Sequence, residues 1–242
     1  MTPAYTPGVV DSWAETSFLA SRSALAELED PERAVAMAAY MKDRFAFYGI
    51  AAGPRRGAVR DATRDLGPPP DGDALIEMAR QCWAADQREL QYTAADALRR
   101  WVRLLEVPHL DDVDEFIVTK SWWDTVDVLA ARVVGPLVQA HPELTDVMDR
   151  WIDDPHMWRR RTAIIHQLGY KDRTDADRLF AYCVEREDER EFFIAKAIGW
   201  ALREFAKVDP DAVWAFVDRH GQEMAPLSVR EATKHRGPRA GT

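Results

Sequence analysis

The stretch EFFIAKAIGWALREFAK, residues 191–207, repeats its apolar residues every three to four positions. That spacing is the period of an α-helix, so the stretch predicts a helix whose apolar stripe faces a core. The opposite flank combines cations with a tryptophan and a glycine, and a glycine costs ~1 kcal/mol in a helix. Such a glycine indicates close approach of a partner backbone, a ligand or a neighbouring helix. The stripe comprises Phe192, Ala195, Ile198, Leu202 and Phe205, and the flank comprises Lys196, Gly199, Trp200, Arg203 and Lys207.

Helical spacing of apolar residues continues along most of the chain, as in residues 35–45, and no run alternates in the manner of a strand. Start signals such as Asp30-Pro31, an N-cap residue followed by proline at the first helical position, divide this pattern into about twelve helices. The predicted fold class is all-α, a curved solenoid of antiparallel helical pairs rather than a compact bundle. One domain is predicted over residues 1–236 and a disordered tail over residues 237–242.

Composition narrows the class of protein. A chain of 242 residues with 47% hydrophobic residues can bury a core, yet no run reaches the ~18 apolar residues of a membrane span. We therefore expect a cytoplasmic protein without a membrane partner. The two cysteines, Cys82 and Cys183, lie far apart within apolar helical patterns, which favours buried thiols over a disulfide. The six histidines lack H-x-x-x-H spacing and no phosphate-binding loop is visible, so neither a metal nor a cofactor is predicted.

The formal net charge of −9 argues against a protein that coats nucleic acid indiscriminately, because such binding requires many cations at phosphates. The charge is nevertheless segregated along the chain. Residues 40–64 hold six basic and two acidic side chains, and residues 156–173 hold five basic and one acidic. Residues 106–127 hold seven acidic side chains and one lysine. The basic runs are either solvated helix faces or parts of one anion-binding surface, and the pattern alone leaves both open.

The segment KSWWDTVD, residues 120–127, places two tryptophans beside two aspartates at a predicted helix start. Ser121 and the acid three residues later fit a capping box at the positive end of the helix. Trp123 and Asp127 are four residues apart and share one helical face, whereas Trp122 points away and is predicted to pack. The pair of Trp123 and Asp127 is either half-buried core beside a salt bridge or a functional pair.

The segment MWRRRTAIIHQLGYK, residues 157–171, carries Arg161 on the same helical stripe as Met157, Ile164 and Leu168. An arginine within an apolar face is costly to bury unless its charge meets an anion. Two anions fit its planar guanidinium fork, a carboxylate on a facing helix and a DNA phosphate. The sequence leaves both partners open.

Five motifs occur in order between about Ala34 and His235: YMKDRFAFYGI, KSWWDTVD, W-x-x-R-x-A-I-x-x-Q-L-x-Y-K, EFFIAKAIGWALREFAK and APLSVREATKH. Together they resemble the DNA alkylation repair proteins of the AlkD type, alkylpurine DNA glycosylases built from HEAT-like helical repeats. The resemblance is specific for the family and less so for the substrate. One departure is visible, since the family pattern often has a lysine where this sequence has Gly169.

The resemblance implies a set of site residues. In the family a tryptophan and an aspartate one helical turn apart act with an arginine and a second tryptophan. These match Trp123, Asp127, Arg161 and Trp200, the predicted catalytic residues. A tyrosine that contacts DNA near the lesion matches Tyr40. The other predicted DNA-binding residues are cations in or beside the motifs, namely Lys42, Arg55, Arg56, Lys120, Arg160, Lys171, Lys196 and Arg203.

The implied function is base-excision repair by hydrolysis of the N-glycosidic bond of cationic alkylpurines, such as 3-methyladenine and 7-methylguanine. The expected partner is alkylated double-stranded DNA, held by a monomer on its concave face without deep base flipping. Two other readings stay open. One is a non-catalytic helical-repeat scaffold for DNA or protein, and the other is a specialised glycosylase for bulky natural-product adducts.

Overall fold

The computed structural model describes residues 12–236, and over this range the predicted all-α class is confirmed. The described residues form helices and connecting turns, with an isolated bridge between Ala46 and Gln87. The first helices are α1 (Trp13–Ala26), α2 (Pro31–Tyr40), α3 (Ala52–Ala62), α4 (Gly72–Ala84) and α5 (Arg88–Arg100). The later helices are α6 (His109–Val118), α7 (Trp123–Leu129), α8 (Gly135–Ala140), α9 (Thr145–Trp151), α10 (Met157–Ile165), α11 (Ala176–Glu185), α12 (Phe192–Phe205), α13 (Pro210–His220) and α14 (Pro226–Ala232).

Helix α7 runs through a π-helical turn (Ala130–Val134) into α8, so these segments form one continuous helix. The described range therefore holds thirteen continuous α-helices, where about twelve were predicted. They form two compact units that divide between Leu105 and Glu106. The predicted single domain begins before the described range and stays a prediction, and the predicted tail, residues 237–242, lies outside that range.

In the first unit, α1 packs on α3 and α4, and α4 packs on α5. The loop after α2 is fixed by Glu89, whose buried carboxylate accepts hydrogen bonds of 2.9–3.0 Å from the backbone N–H groups of residues 48–50. Gly49 has a φ of 92°, and a Cβ there would lie 2.2 Å from the carbonyl oxygen of Asp30. Only glycine fits this approach, which anchors the loop that follows Tyr40.

In the second unit the helices repeat at about 33 residues, although the sequence shows no strict period. Hydrogen bonds between helices join residues that are 32 to 35 positions apart. They join Tyr182 to Asp149, Arg161 to the Phe193 carbonyl, Ser228 to the Ala195 carbonyl, and Tyr170 to the Gly135 carbonyl. A recurring separation of this size is typical of stacked helical repeats.

The repeats form two layers of helices within the second unit. One layer contains the α7–α8 helix, α10, α12 and α14, and the other contains α9, α11 and α13. Two bonds show the relative direction of neighbouring helices in a layer: Asp149 bonds Tyr182, and Asp153, four residues later, bonds Arg186, four residues after Tyr182. Helices within a layer are therefore parallel, and chain neighbours alternate between layers as antiparallel pairs. This arrangement agrees with the predicted stack of helical pairs.

Both cysteines are fully buried, as predicted, and burial raises the pKa of the Cys82 thiol to about 12. Within residues 12–236 no helix is long and apolar enough to cross a membrane. No group of three or more His, Cys, Asp or Glu side chains in the same range is arranged to hold a metal ion.

Candidate active site

The start of α7 differs from its prediction. Ser121 is not the N-cap, because its hydroxyl donates a 2.7 Å hydrogen bond to the Ile117 carbonyl at the end of α6. Trp122, with an extended backbone, occupies the N-cap position, and the helix begins at Trp123. Asp124 still lies in the first turn, where a carboxylate favours the positive helix end.

Trp122 packs against other rings, as predicted. Its ring centroid lies 6.0 Å from that of Trp158 and 5.1 Å from that of Phe193, both in edge-to-face geometry. These rings come from α10 and α12, so the aromatic cluster ties three neighbouring helices together. Trp123 is half-buried and shares its helical face with Asp127, one turn further along α7.

Asp127 and Arg161 form a bidentate ion pair between α7 and α10. The Arg161 Nε donates to Oδ1 at 2.7 Å and Nη2 donates to Oδ2 at 2.8 Å. The arginine side chain is only 3% exposed, whereas the aspartate side chain is 17% exposed. The pair therefore presents an oriented carboxylate at the surface, backed by a buried cation.

This contact identifies the partner of Arg161 that the sequence left open: it is a carboxylate. The third nitrogen, Nη1, donates to the backbone carbonyl of Phe193 on α12. All three guanidinium nitrogens thus donate to protein acceptors, and these hydrogen bonds offset the cost of burying the charge. The geometry places Arg161 behind Asp127 as a residue that orients the carboxylate.

The apolar stripe predicted for α12 is correct at Ala195, Ile198, Leu202 and Phe205, all of which are buried. The prediction was wrong for Phe192, which is 56% exposed at the first position of the helix. Phe193 occupies the inner side instead and is half-buried.

Trp200 is half-buried and lies seven residues after Phe193, which places both on nearly the same face of α12. The carbonyl of Phe193 is the one that binds Arg161. Trp200 thus shares a helix and a face with a residue that contacts the Asp127–Arg161 pair.

The flank around Trp200 is held by Glu231 of α14. Its carboxylate accepts hydrogen bonds from Lys196 at 2.6 Å and from Arg203 at 2.5 Å, and these bonds lower its pKa. A Cβ on Gly199 would lie 2.5 Å from the Glu231 Cβ and 2.7 Å from the Ser228 carbonyl oxygen. The unusual glycine is thus explained by helix–helix contact between α12 and α14, one of the alternatives that the sequence left open.

Three further cations of the predicted DNA-binding set lie in the second unit. Arg160 bonds Glu189 at 2.8 Å and two backbone carbonyls, and its side chain is 15% exposed. Lys120 and Lys171 are exposed and adopt left-handed backbone conformations, with φ of 47° and 57°. A left-handed lysine is unusual, because its Cβ crowds the backbone.

The first unit contains the other predicted DNA-binding residues. Tyr40 is 72% exposed, and Lys42 and Arg56 are also exposed. Arg55 differs from its prediction as a DNA-binding residue, because its side chain is only 6% exposed and Nη2 donates to Asp96 at 2.7 Å. Burial lowers its pKa, and its charge serves the packing of α3 on α5 rather than an anion at the surface.

Sequence reasoning missed the acidic partners of these cations. Glu231, Glu189 and Asp114 lie 28 to 45 residues from the cations they bind. The acidic run over residues 106–127 contains Asp114 and Asp127, so it carried a signal that those carboxylates have basic partners elsewhere. No local spacing identified which partners they were.

Stacked helical pairs that carry an oriented carboxylate, a buried guanidinium and half-buried tryptophans define a helical-repeat protein with a polar and aromatic site. Within that class the chain belongs to the DNA alkylation repair enzyme family, whose sequence pattern matches residues 21–235.

The fold is also similar to a solved structure, described as a predicted DNA alkylation repair enzyme from Enterococcus faecalis. The two chains are 29% identical, and the match covers 86% of this chain and 97% of that chain with a TM-score of 0.78. A comparison with curated proteins gave no match. Family and neighbour both support a role in the repair of alkylated DNA.

Proposed function

We propose that this protein is a monomeric DNA glycosylase that hydrolyses the N-glycosidic bond of cationic alkylpurines, such as 3-methyladenine and 7-methylguanine, in duplex DNA. The observation that carries the proposal is the oriented, partly exposed carboxylate of Asp127, backed by the buried Arg161. Membership of the DNA alkylation repair enzyme family supports DNA as the substrate.

The chemistry of the leaving group suits such a carboxylate. Alkylation at N3 or N7 gives the purine a positive charge, so the base departs easily and the sugar acquires oxocarbenium character. An anion fixed beside the sugar stabilises this developing charge, and it does so most strongly where water is partly excluded. Asp127 can also accept a hydrogen bond from the water that attacks the sugar carbon.

The tryptophans supply the second part of the proposed site. Trp123 lies one helical turn before Asp127, and Trp200 lies on the face of α12 that contacts Arg161 through Phe193. An indole face attracts a cationic nucleoside by ~0.5 to 2 kcal/mol. Both tryptophans are half-buried, so neither residue is fully enclosed in the core.

Arg161 is a positioning residue in this proposal. Its nitrogens are used by Asp127 and Phe193, so it holds the carboxylate rather than a phosphate. We propose no lysine nucleophile, and the product is then an abasic site. A cavity beside α10 and α12, lined in part by Gln167 and Phe205, measures about 20 Å³, which suits one water and not a purine. The proposed excision therefore does not use it as a base pocket.

The test is release of 7-methylguanine from methylated duplex DNA by the wild-type protein and by Asp127→Asn. We expect the wild type to release the base and the variant to be slower by about 10² or more, as when an electrostatic group is removed from a transition state. Asp114→Asn is a matched control, because Asp114 also forms a bidentate pair with an arginine of α10 and is similarly exposed, at 20% against 17%. It should retain activity.

The outcome of the base-release test distinguishes the proposed function from its alternatives. Equal rates for the wild type and Asp127→Asn would remove Asp127 from the mechanism. Binding of methylated duplex by the wild type without base release would identify a non-catalytic scaffold. Release of a bulky adduct in preference to 7-methylguanine would identify the specialised glycosylase.

A further inference from the structure

Arg132 lies at an interruption of its helix, and its side chain has no partner within the described part of the chain. It lies in the π-helical turn between α7 and α8, five residues after Asp127, and its side chain is exposed. Among residues 12–236 it makes no hydrogen bond or ion pair with another side chain or with the backbone. Turns of this kind interrupt an α-helix at some cost and occur frequently at functional sites.

Other cations around the candidate site are already paired. Arg159 bonds Asp114, Arg160 bonds Glu189, and Arg203 bonds Glu231. A DNA phosphate would have to compete with a carboxylate for each of these side chains. Arg132 can bind an anion without breaking an existing pair.

The guanidinium of Arg132 lies against Gly169, in the turn that follows α10. A Cβ built on Gly169 would be 3.6 Å from Nη1 of Arg132 and 3.8 Å from the Ala131 carbonyl oxygen. The Arg132 head thus lies at ordinary contact distance from position 169, and a side chain much longer than a methyl group there would enter the space that the head occupies. Lys171 is exposed two residues later, and within residues 12–236 neither Arg132 nor Lys171 has a carboxylate partner.

The junction lies beside the Asp127–Arg161 pair. Both contacts join the α7–α8 helix to the segment formed by α10 and its following turn. A rise of 1.5 Å per residue places Arg132 roughly 7 Å beyond Asp127 along the helix. Phosphates of one strand advance by about 3.4 Å along the duplex axis, so this offset spans no more than about two nucleotides.

We infer that Arg132, together with Lys171, binds a backbone phosphate of the DNA within about two nucleotides of the base that faces Asp127. The planar guanidinium donates two parallel hydrogen bonds to the phosphate oxygens. Gly169 has no long side chain that would compete with this arginine for the space. The inference rests on the proposed function for the placement of the damaged base, but the phosphate contact itself requires only that the protein binds duplex DNA.

The test is equilibrium binding of a duplex that contains one tetrahydrofuran abasic-site analogue, measured over a range of salt concentrations. Arg132→Gln should reduce the slope of log affinity against log salt by about 0.9, the value for one lost phosphate contact. Arg150→Gln is the matched control, since Arg150 is exposed on α9 in the other layer and has no ion pair within the described chain. Its slope should equal that of the wild type.

A rescue variant separates a phosphate contact from a structural role. In Arg132→Ala the space beside Gly169 is vacant, so Gly169→Lys in that background restores a cation at the same place. We expect the double variant to recover the slope that Arg132→Ala loses. An unchanged slope in Arg132→Gln, or equal losses in Arg132→Gln and Arg150→Gln, would overturn the inference.

Failure of the inference is distinguishable from failure of the proposed function. A wild type that releases 7-methylguanine, together with an unchanged slope for Arg132→Gln, refutes the phosphate contact alone. A slope loss for Arg132→Gln in a protein that releases no base supports the contact and refutes the glycosylase. A wild type that does not bind the duplex refutes both.

Discussion

Arg161 donates two parallel hydrogen bonds to Asp127, 34 residues earlier in the chain, and a third to the backbone of Phe193, 32 residues later. One buried guanidinium therefore joins three successive helices of one layer. Because these helices are equivalent members of a repeat, the site is built from the same contacts that stack the repeats. Stability and function are expected to be coupled at this arginine.

Arg161→Met tests that coupling. The substitution keeps an unbranched side chain and removes the cation, which leaves Asp127 without its partner at 17% exposure. We expect the free energy of unfolding to fall by about 3 kcal/mol, the lower end of the range for a broken buried pair. We also expect base release by the folded variant to fall, because the carboxylate loses its orientation. Denaturant unfolding and a release assay measure the two effects.

Arg159→Met is the matched control on the same helix. Arg159 also forms a bidentate pair, with Asp114, but its side chain is 30% exposed. Because this arginine is less buried than Arg161, losing it should destabilise the protein by less than losing Arg161. Equal destabilisation by the two substitutions would contradict the argument from burial.

Gly199→Ala tests the contact of α12 with α14. The new methyl group would meet the Glu231 Cβ at 2.5 Å and the Ser228 carbonyl at 2.7 Å, so a helix must shift. We expect a net loss of about 1 to 2 kcal/mol in unfolding free energy, since overpacking outweighs the gain in helix propensity. Gly57→Ala on α3, where the nearest atom is 3.9 Å away, should instead stabilise by up to ~1 kcal/mol. A stabilised Gly199→Ala would refute the close packing.

Arg55→Met and Arg56→Gln test whether the buried Arg55, unlike its exposed neighbour, takes no part in DNA binding. Arg55 is paired with Asp96 and buried, whereas the neighbouring Arg56 is exposed. Arg55→Met should leave the salt dependence of duplex binding unchanged and lower the midpoint of denaturant unfolding. Arg56→Gln should reduce the salt slope by about 0.9 if it contacts a phosphate. A reduced slope for Arg55→Met would restore Arg55 to the DNA-binding set.

His166 predicts a dependence of stability on pH. Burial between Tyr170 and Tyr182 lowers its pKa from 6.5 to about 4. Below pH 6.5 the unfolded chain gains a proton that the folded chain resists, so stability falls until the folded group titrates near pH 4. The shift corresponds to a loss of about 3 kcal/mol over that window.

His166→Phe isolates this contribution by unfolding titrations between pH 7 and pH 5, roughly the range in which an unfolded histidine titrates. The variant loses the bond to the Ala163 carbonyl, but its stability should vary less with pH than that of the wild type. His156, whose pKa is also lowered mainly by burial, contributes a dependence of the same sign in both proteins. Identical pH profiles for variant and wild type would contradict a buried neutral His166.

Local patterns were sufficient where one helix decides the outcome. The stripe of α12 predicted four buried residues correctly, and the spacing of Arg161 among apolar residues predicted its burial. Helix ends were less predictable, because a hydroxyl such as that of Ser121 can bond the preceding helix instead of the following one. Phe192 was misplaced because it is the first residue of α12. At the end of a helix, the apolar spacing does not determine whether a side chain faces the core.

The sequence by itself determined the all-α class, the shared face of Trp123 and Asp127, and the need of Arg161 for an anion, because these follow from helical period and desolvation. Tertiary structure alone decided that the anion is Asp127, that Glu231 holds Lys196 and Arg203, and that Arg55 is withdrawn from the surface. Those contacts join residues 28 to 41 positions apart. Helical period places a side chain on a face, but only the stacking of helices determines which face it meets.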